Sequence, residues 1–172
     1  MKSIIDIIQE KLKINSKSKV NTTKYHPTTR NELKDLIDKL IQERGNNADL
    51  NDIDVSNITD MRGLFSKYDF YSNTSSEIEI NELYKFNGDI SEWDVSNVIS
   101  MREMFRQSEY TGENGDISNW NVEKVEDMWQ MFYRSKYNGD ISKWNPKSVK
   151  KNWYMFVESP LGNNKPKWYK QI

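Results

Sequence analysis

The sequence predicts an α/β fold: a short solenoid of about four tandem repeats with a helical N-terminal cap. Three observations carry this expectation. One phrase recurs along the chain as Ile90, Trp93, Val95, Val98, Met101, Met104, Phe105, then as Ile117, Trp120, Val122, Val125, Met128, Met131, Phe132. It returns as Ile141, Trp144, Pro146, Val149, Asn152, Met155, Phe156, and a diverged first copy reads Leu50, Ile53, Val55, Ile58, Met61, Leu64, Phe65. An amphipathic stripe, residues 33–41, directly precedes the copies. Finally, mean hydropathy is low at −0.91, yet six Trp, six Phe and nine Tyr supply apolar area in large pieces, which argues against disorder. Units repeated at this period bury their faces against one another, so function is expected on a surface and not in a catalytic pocket.

In chain order, residues 1–15 suit a short amphipathic helix with Ile4, Ile5, Ile8 and Leu12 on one side, and Val20 to Tyr25 suit a short strand. Pro27 prepares a helix start. Thr29 and Glu32 have capping-box spacing, Leu33, Leu36, Ile37, Leu40 and Ile41 form one apolar stripe, and Gly45 stands where a left-handed residue ends a helix. One stripe needs one partner, and the open end of the repeat stack supplies it. The expected organisation is therefore a helical N-terminal segment and cap over 1–46, repeats over 47–156, and a basic C-terminal cap or tail over 157–172.

Ile90, Ile117 and Ile141 are 27 and 24 residues apart, and Leu50 to Ile90 is 40. The differences fall after each Met-Phe end, in linkers 66–86, 106–113 and 133–137, so insertions are expected at one point of a 24-residue unit. Ile-x-x-Trp-x-Val has the spacing of a leucine-rich-repeat strand, with Trp and Val facing inward and the Asp or Asn between them outward. The Val-x-x-Met-x-x-Met-Phe spacing that follows suits a helical or 3₁₀ return. Asn-Gly-Asp at 87–89, 114–116 and 138–140 reads as a turn whose Gly supplies positive φ.

The unit Asn-Gly-Asp-Ile-Ser-x-Trp-Asp-Val-Ser-Asn-Val-x-x-Met-x-x-Met-Phe resembles the BspA-like leucine-rich repeat, the mycoplasma lipoprotein-associated repeat domain, over residues 47–156. The Glu-Leu-Lys-Asp-Leu-Ile helix and the Gly-Asn-Asn-Ala-Asp-Leu after it resemble the segment that often precedes such repeats. The resemblance implies a leucine-rich-repeat-like solenoid used for adhesion or protein binding, frequently at bacterial surfaces, with relatives in phage and mobile elements. This chain departs from the surface members in having few repeats, no signal and no lipid anchor. A cytoplasmic or virion-associated location without membrane insertion follows as the expectation.

Several function classes find no residues to work with. There is no cysteine, and His26 is the only histidine, so Ser-His-Asp, Cys-His and zinc constellations are excluded. The expected protein is not an enzyme and needs no cofactor. Asp49, Asp89, Asp116 and Asp140 form a ladder that suits calcium in some β-helices, but a carboxylate accepting from its own turn is the simpler account. Net charge of −1 gives no push toward nucleic acid, although Lys165-Pro-Lys167-Trp168-Tyr169-Lys170 mixes basic and aromatic residues. The simpler expectation is a tail that packs its aromatic over the last repeat.

The candidate binding surface is the outward row of positions. Asp52, Glu92, Asn119 and Lys143 form one row, Asp54, Asp94, Asn121 and Asn145 a second, and Ser56, Ser96, Glu123 and Lys147 a third. Loops 66–86 and 106–113 extend it. Residues 46–96 carry eleven acids against three bases, and residues 143–172 seven lysines against Glu158, a drift from −8 to +6. Such a gradient steers a polarised protein partner or lets copies associate head to tail. The expected function is non-enzymatic protein binding. A structural or accessory role in a phage particle or surface assembly, and a phage or mobile-element effector, stand as alternatives.

Overall fold

The computed structural model describes residues 23–69 and 79–172. Most of this backbone is irregular. It holds one helix, α1 (Arg30–Arg44), and one antiparallel pair, β1 (Tyr68–Asp69) with β2 (Glu79–Ile80). Short 3₁₀ turns occupy Glu82–Lys85 and Pro160–Gly162. The helix expected over 1–15 lies outside the described residues. Of the strand expected around Val20 to Tyr25, the described end places Tyr25 in a parallel bridge with Ile53.

The local signals set the ends of α1. Thr29 accepts from the Glu32 amide at 3.2 Å, while the Glu32 carboxylate reaches one residue further out than a capping box requires, accepting from the Thr28 amide at 2.7 Å and hydroxyl at 2.9 Å. Gly45 has positive φ but a ψ of 171°, so it ends the helix in an extended conformation only glycine reaches readily. Leu33, Ile37 and Leu40 are fully buried and join the same core as the repeats.

The inward positions of the repeated phrase are buried as expected, from Leu50 and Ile53 to Trp144, Met155 and Phe156, with Pro146 and Val149 only partly so. Phe65, Phe105, Phe132 and Phe156 stack at centroid separations of 5.5, 5.5 and 6.1 Å. Trp120, Trp144 and Trp168 stack at 6.4 and 6.3 Å. Each indole also donates to a carbonyl one unit back: Trp93 to Leu50, Trp120 to Ile90, Trp144 to Ile117 and Trp168 to Ile141. A third row, Phe86, Tyr110 and Tyr137, stacks at 6.0 and 5.8 Å beside the Phe row.

The backbone between these side chains differs from the expectation. Ile-x-x-Trp-x-Val is not a strand. Trp93 N–H donates to Ile90 and Val98 N–H to Val95, and the same tight turns recur at Trp120, Val125 and Trp144. The cause is local: Asp89, Asp94, Asp116 and Asp140 each accept from the amide two residues on, which offers the backbone a partner that competes with a strand ladder. Nor is Met-x-x-Met-Phe helical. Glu103, Gln107, Gln130, Arg134, Tyr154 and Glu158 have φ of 53–58° and Gly63 has 59°, and a left-handed residue every fourth position cannot continue a 3₁₀ helix.

What this segment forms instead is a parallel ladder between units. Met61 donates to Ser100, Met101 to Asp127 and Met128 to Lys151. Three further columns begin at Gly63, Phe65 and Lys67 and pass through Glu103, Phe105 and Gln107 in the same way. Isolated parallel bridges join Asp60, Ser100, Asp127 and Lys151.

Two more expectations are corrected. Gly88, Gly115 and Gly139 do not have positive φ; an added Cβ at Gly88 would lie 2.0 Å from the Ala48 carbonyl oxygen, and at Gly115 2.8 Å from the Asp89 Cα. Gly88 and Gly115 therefore admit the neighbouring unit, while Gly139 admits the Tyr137 ring. The insertions leave at two points and not one, because the third aromatic row is fixed in space: the long one lies before Phe86, the short one, 111–113, after Tyr110.

Candidate functional site

The first two of the three outward rows, which hold the eight candidate residues, run along turns and not along a sheet. In the second row the polar groups hold their own backbone: Asp54 accepts from the Ser56 amide at 3.0 Å, Asp94 from Ser96 at 3.0 Å, and Asn121 from Glu123 at 3.2 Å. Asn145 instead reaches Glu123 at 3.3 Å. Ser56, by hydroxyl and amide, and then His26 hold the Asp54 carboxyl below the usual range against a modest effect of burial. Asp52 is tied to α1 by a two-pronged pair with Arg44 at 3.0 and 2.9 Å. Glu92, Asn119 and Lys143 are exposed and make no side-chain hydrogen bond among the described residues. Of the eight candidates, these three are the ones whose polar ends carry no hydrogen bond among the described residues.

Neighbouring units are cross-tied along this face. Asn51 accepts from the Glu92 amide, Asn97 donates to the Ser56 carbonyl, Lys124 to Asn97, and Lys147 pairs with Glu123 at 2.8 Å. A partner lying across the rows would meet a face whose spacing is fixed by these bonds.

A second surface runs along the parallel bridges. Asp60, Arg62, Ile99, Arg102, Glu126 and Lys151 line a trough of about 790 Å³. Burial raises the Asp60 pKa, but hydrogen bonds and charge from Arg62 outweigh it and the net shift is downward. The Arg102 guanidinium lies 4.2 Å from the Trp129 ring centre. Sequence reasoning passed over these positions because they fall between the inward positions of the phrase.

The third aromatic row was also missed, its members having been placed in linkers. Its signal was present: Tyr110, Tyr137 and Leu161 each follow the unit's Phe by five residues. Asn152, which breaks the Met pattern, is 1 % exposed, and its amide binds Lys170 O at 2.7 Å while its oxygen accepts from the Ile172 amide at 2.9 Å. The change from Met thus fastens the tail. Trp168 takes the next step of the Trp row and Tyr169 packs edge-on against Phe156 at 4.9 Å.

Each aspartate of the turn ladder accepts from its own turn, Asp89 and Asp116 from both amide and hydroxyl of the following Ser. Among the described residues no group of three or more His, Cys, Asp or Glu converges on one point, and no helix is long and apolar enough to cross a membrane.

The described fold is thus one helix and short, mostly irregular units packed round one large aromatic cluster, with varied polar turns outside. The chain matches the family described as Mycoplasma protein of unknown function, DUF285, over residues 31–168, and it belongs to that family. No curated protein and no solved structure matches it.

Proposed function

We propose that this chain is a non-enzymatic protein-binding module, a short leucine-rich-repeat-like solenoid of the BspA-like kind, with residues 24–45 as N-terminal cap and 157–172 as basic C-terminal cap or tail. One observation carries the reading. The units keep nearly the same buried residues while the exposed row changes from Asp52 and Glu92 through Asn119 to Lys143. Equal interiors with graded exteriors are what a recognition surface needs and what a purely structural stack does not. The gradient favours a partner with opposite polarity, and the free ends of Glu92, Asn119 and Lys143 are its first contacts.

The test uses affinity capture with the intact chain beside the triple variant Glu92→Lys, Asn119→Lys, Lys143→Glu. None of these side chains supports a turn, so the variant is expected to melt like the parent and to lose the specifically captured protein. A variant that retains every captured protein sinks the reading.

A further inference from the structure

The four columns of the inter-unit ladder are polar in one direction. In every unit the carbonyls of the ladder peptides accept from the preceding unit and their N–H groups donate to the following one. Peptides aligned head to tail within a column leave unpaired, partially positive N–H groups at its last member, although other inter-unit bonds, such as Ser100 to Thr59, Asp127 to Ile99 and Lys151 to Glu126, run the opposite way. Side chains cover the carbonyl end: Arg30 Nε donates to the Arg62 oxygen at 2.6 Å, and Asn81 Nδ2 to those of Leu64 and Ser66 at 3.0 Å each. At the opposite end the tail engages Asn152, but the amides of Tyr154, Phe156 and Glu158 have no acceptor among the described residues.

A groove of about 680 Å³ lies beside these three donors, lined by Tyr154, Val157, Pro160, Lys165 and Tyr169. Tyr154 and Val157 are 50 % and 40 % exposed. Arg134 already holds the Glu158 carboxylate at 2.9 Å, and residues 143–172 carry the net +6.

We propose that this end of the array binds an acidic, extended protein segment. Its backbone carbonyls accept from Tyr154, Phe156 and Glu158, which fall at every second residue as the acceptors of an extended strand do. Its apolar side chains enter the groove, and its carboxylates face the positive end of the columns and Lys165. A second copy of this chain fits less well, because its own carbonyl end is covered by Arg30 and Asn81. The site is separate from the turn rows, so either can fail without the other.

The experiment titrates the intact chain with a short labelled peptide alternating Asp and Val, and with its Lys–Val counterpart, by anisotropy and amide NMR. In the free protein the Tyr154, Phe156 and Glu158 amides should exchange quickly while the equivalent Gln130, Phe132 and Arg134 amides are protected. The Asp–Val peptide should bind, shift and protect these three unpaired amides, and bind about fivefold more weakly to Lys165→Glu. Val157→Asp, a second exposed substitution, should weaken it as well. Equal binding of both peptides, or binding that leaves the three amides unmoved, overturns the proposal. So does a concentration-dependent dimer that protects the same amides, which would identify the occupant as a second copy.

Discussion

At the scale of single residues, most of the repeat's specificity comes from contacts too close for a larger side chain. Gly88 sits where the Ala48 carbonyl of the preceding unit passes, and the Asp89 amide donates to that carbonyl at 3.0 Å. Gly88→Ala is expected to lower stability by about 2–3 kcal/mol through overpacking. Gly45→Ala meets nothing within 4 Å and suffers only from its φ of 84°, a loss of about 1 kcal/mol. Urea unfolding of the two variants separates a steric requirement from a conformational one. Equal losses would mean that the turn glycines are kept for their backbone freedom after all. The Asn-Gly-Asp turn was legible in the sequence. The reason for its glycine was not, because the crowding group lies in the neighbouring unit.

At the scale of the element, the ladder segment stores backbone strain at the same two positions of the last three units. Gln130 is held at φ 53° by the bonds of its neighbours, at a cost of about 1–2 kcal/mol for a non-glycine residue. Gln130→Gly should therefore be neutral or stabilising by less than about 1 kcal/mol once the added freedom of the unfolded chain is counted. Gln130→Val, β-branched in the same conformation, should lose about 2 kcal/mol. Thermal melts decide it, and similar losses for both would show that the left-handed conformation is not what the position demands. The sequence reading placed a helical or 3₁₀ turn here because a spacing of three fits both. Only the inter-unit bonds from Glu103 to Trp129 and from Gln130 to Trp153 distinguish a ladder of turns from a helix.

At the scale of the whole molecule, ionisable groups are tied to the folded turns at both ends of the pH range. Asp54, held low by Ser56 and then His26, and Asp140, held low by Ser142, favour the folded state above the unfolded carboxyl value of about 4. That contribution is lost as pH falls through the lower folded values, so the melting temperature should drop as pH falls below about 4. Tyr110 and Tyr137 move the other way. Burial pushes both hydroxyls far above their ordinary value, so their contribution is complete below about pH 10 and declines above it. Phenolate absorbance should show these two hydroxyls ionising only as the protein unfolds. Early ionisation of every tyrosine would contradict the buried third row.

The sequence by itself determined which residues are hidden. The rows of Ile, Trp, Met and Phe are buried because their side chains have nowhere to go except against the same residues of the next unit. It also determined the helix, its stripe and both of its ends, since capping and periodicity act within a few residues. Tertiary structure alone decided the path of the backbone between those rows, where aspartate turns within a unit and ladder bonds between units compete for the same amides. It decided, too, that the ladder points one way, covered at Arg62 and open at Tyr154. That polarity belongs to the stack, because each bond that builds it joins residues from different units.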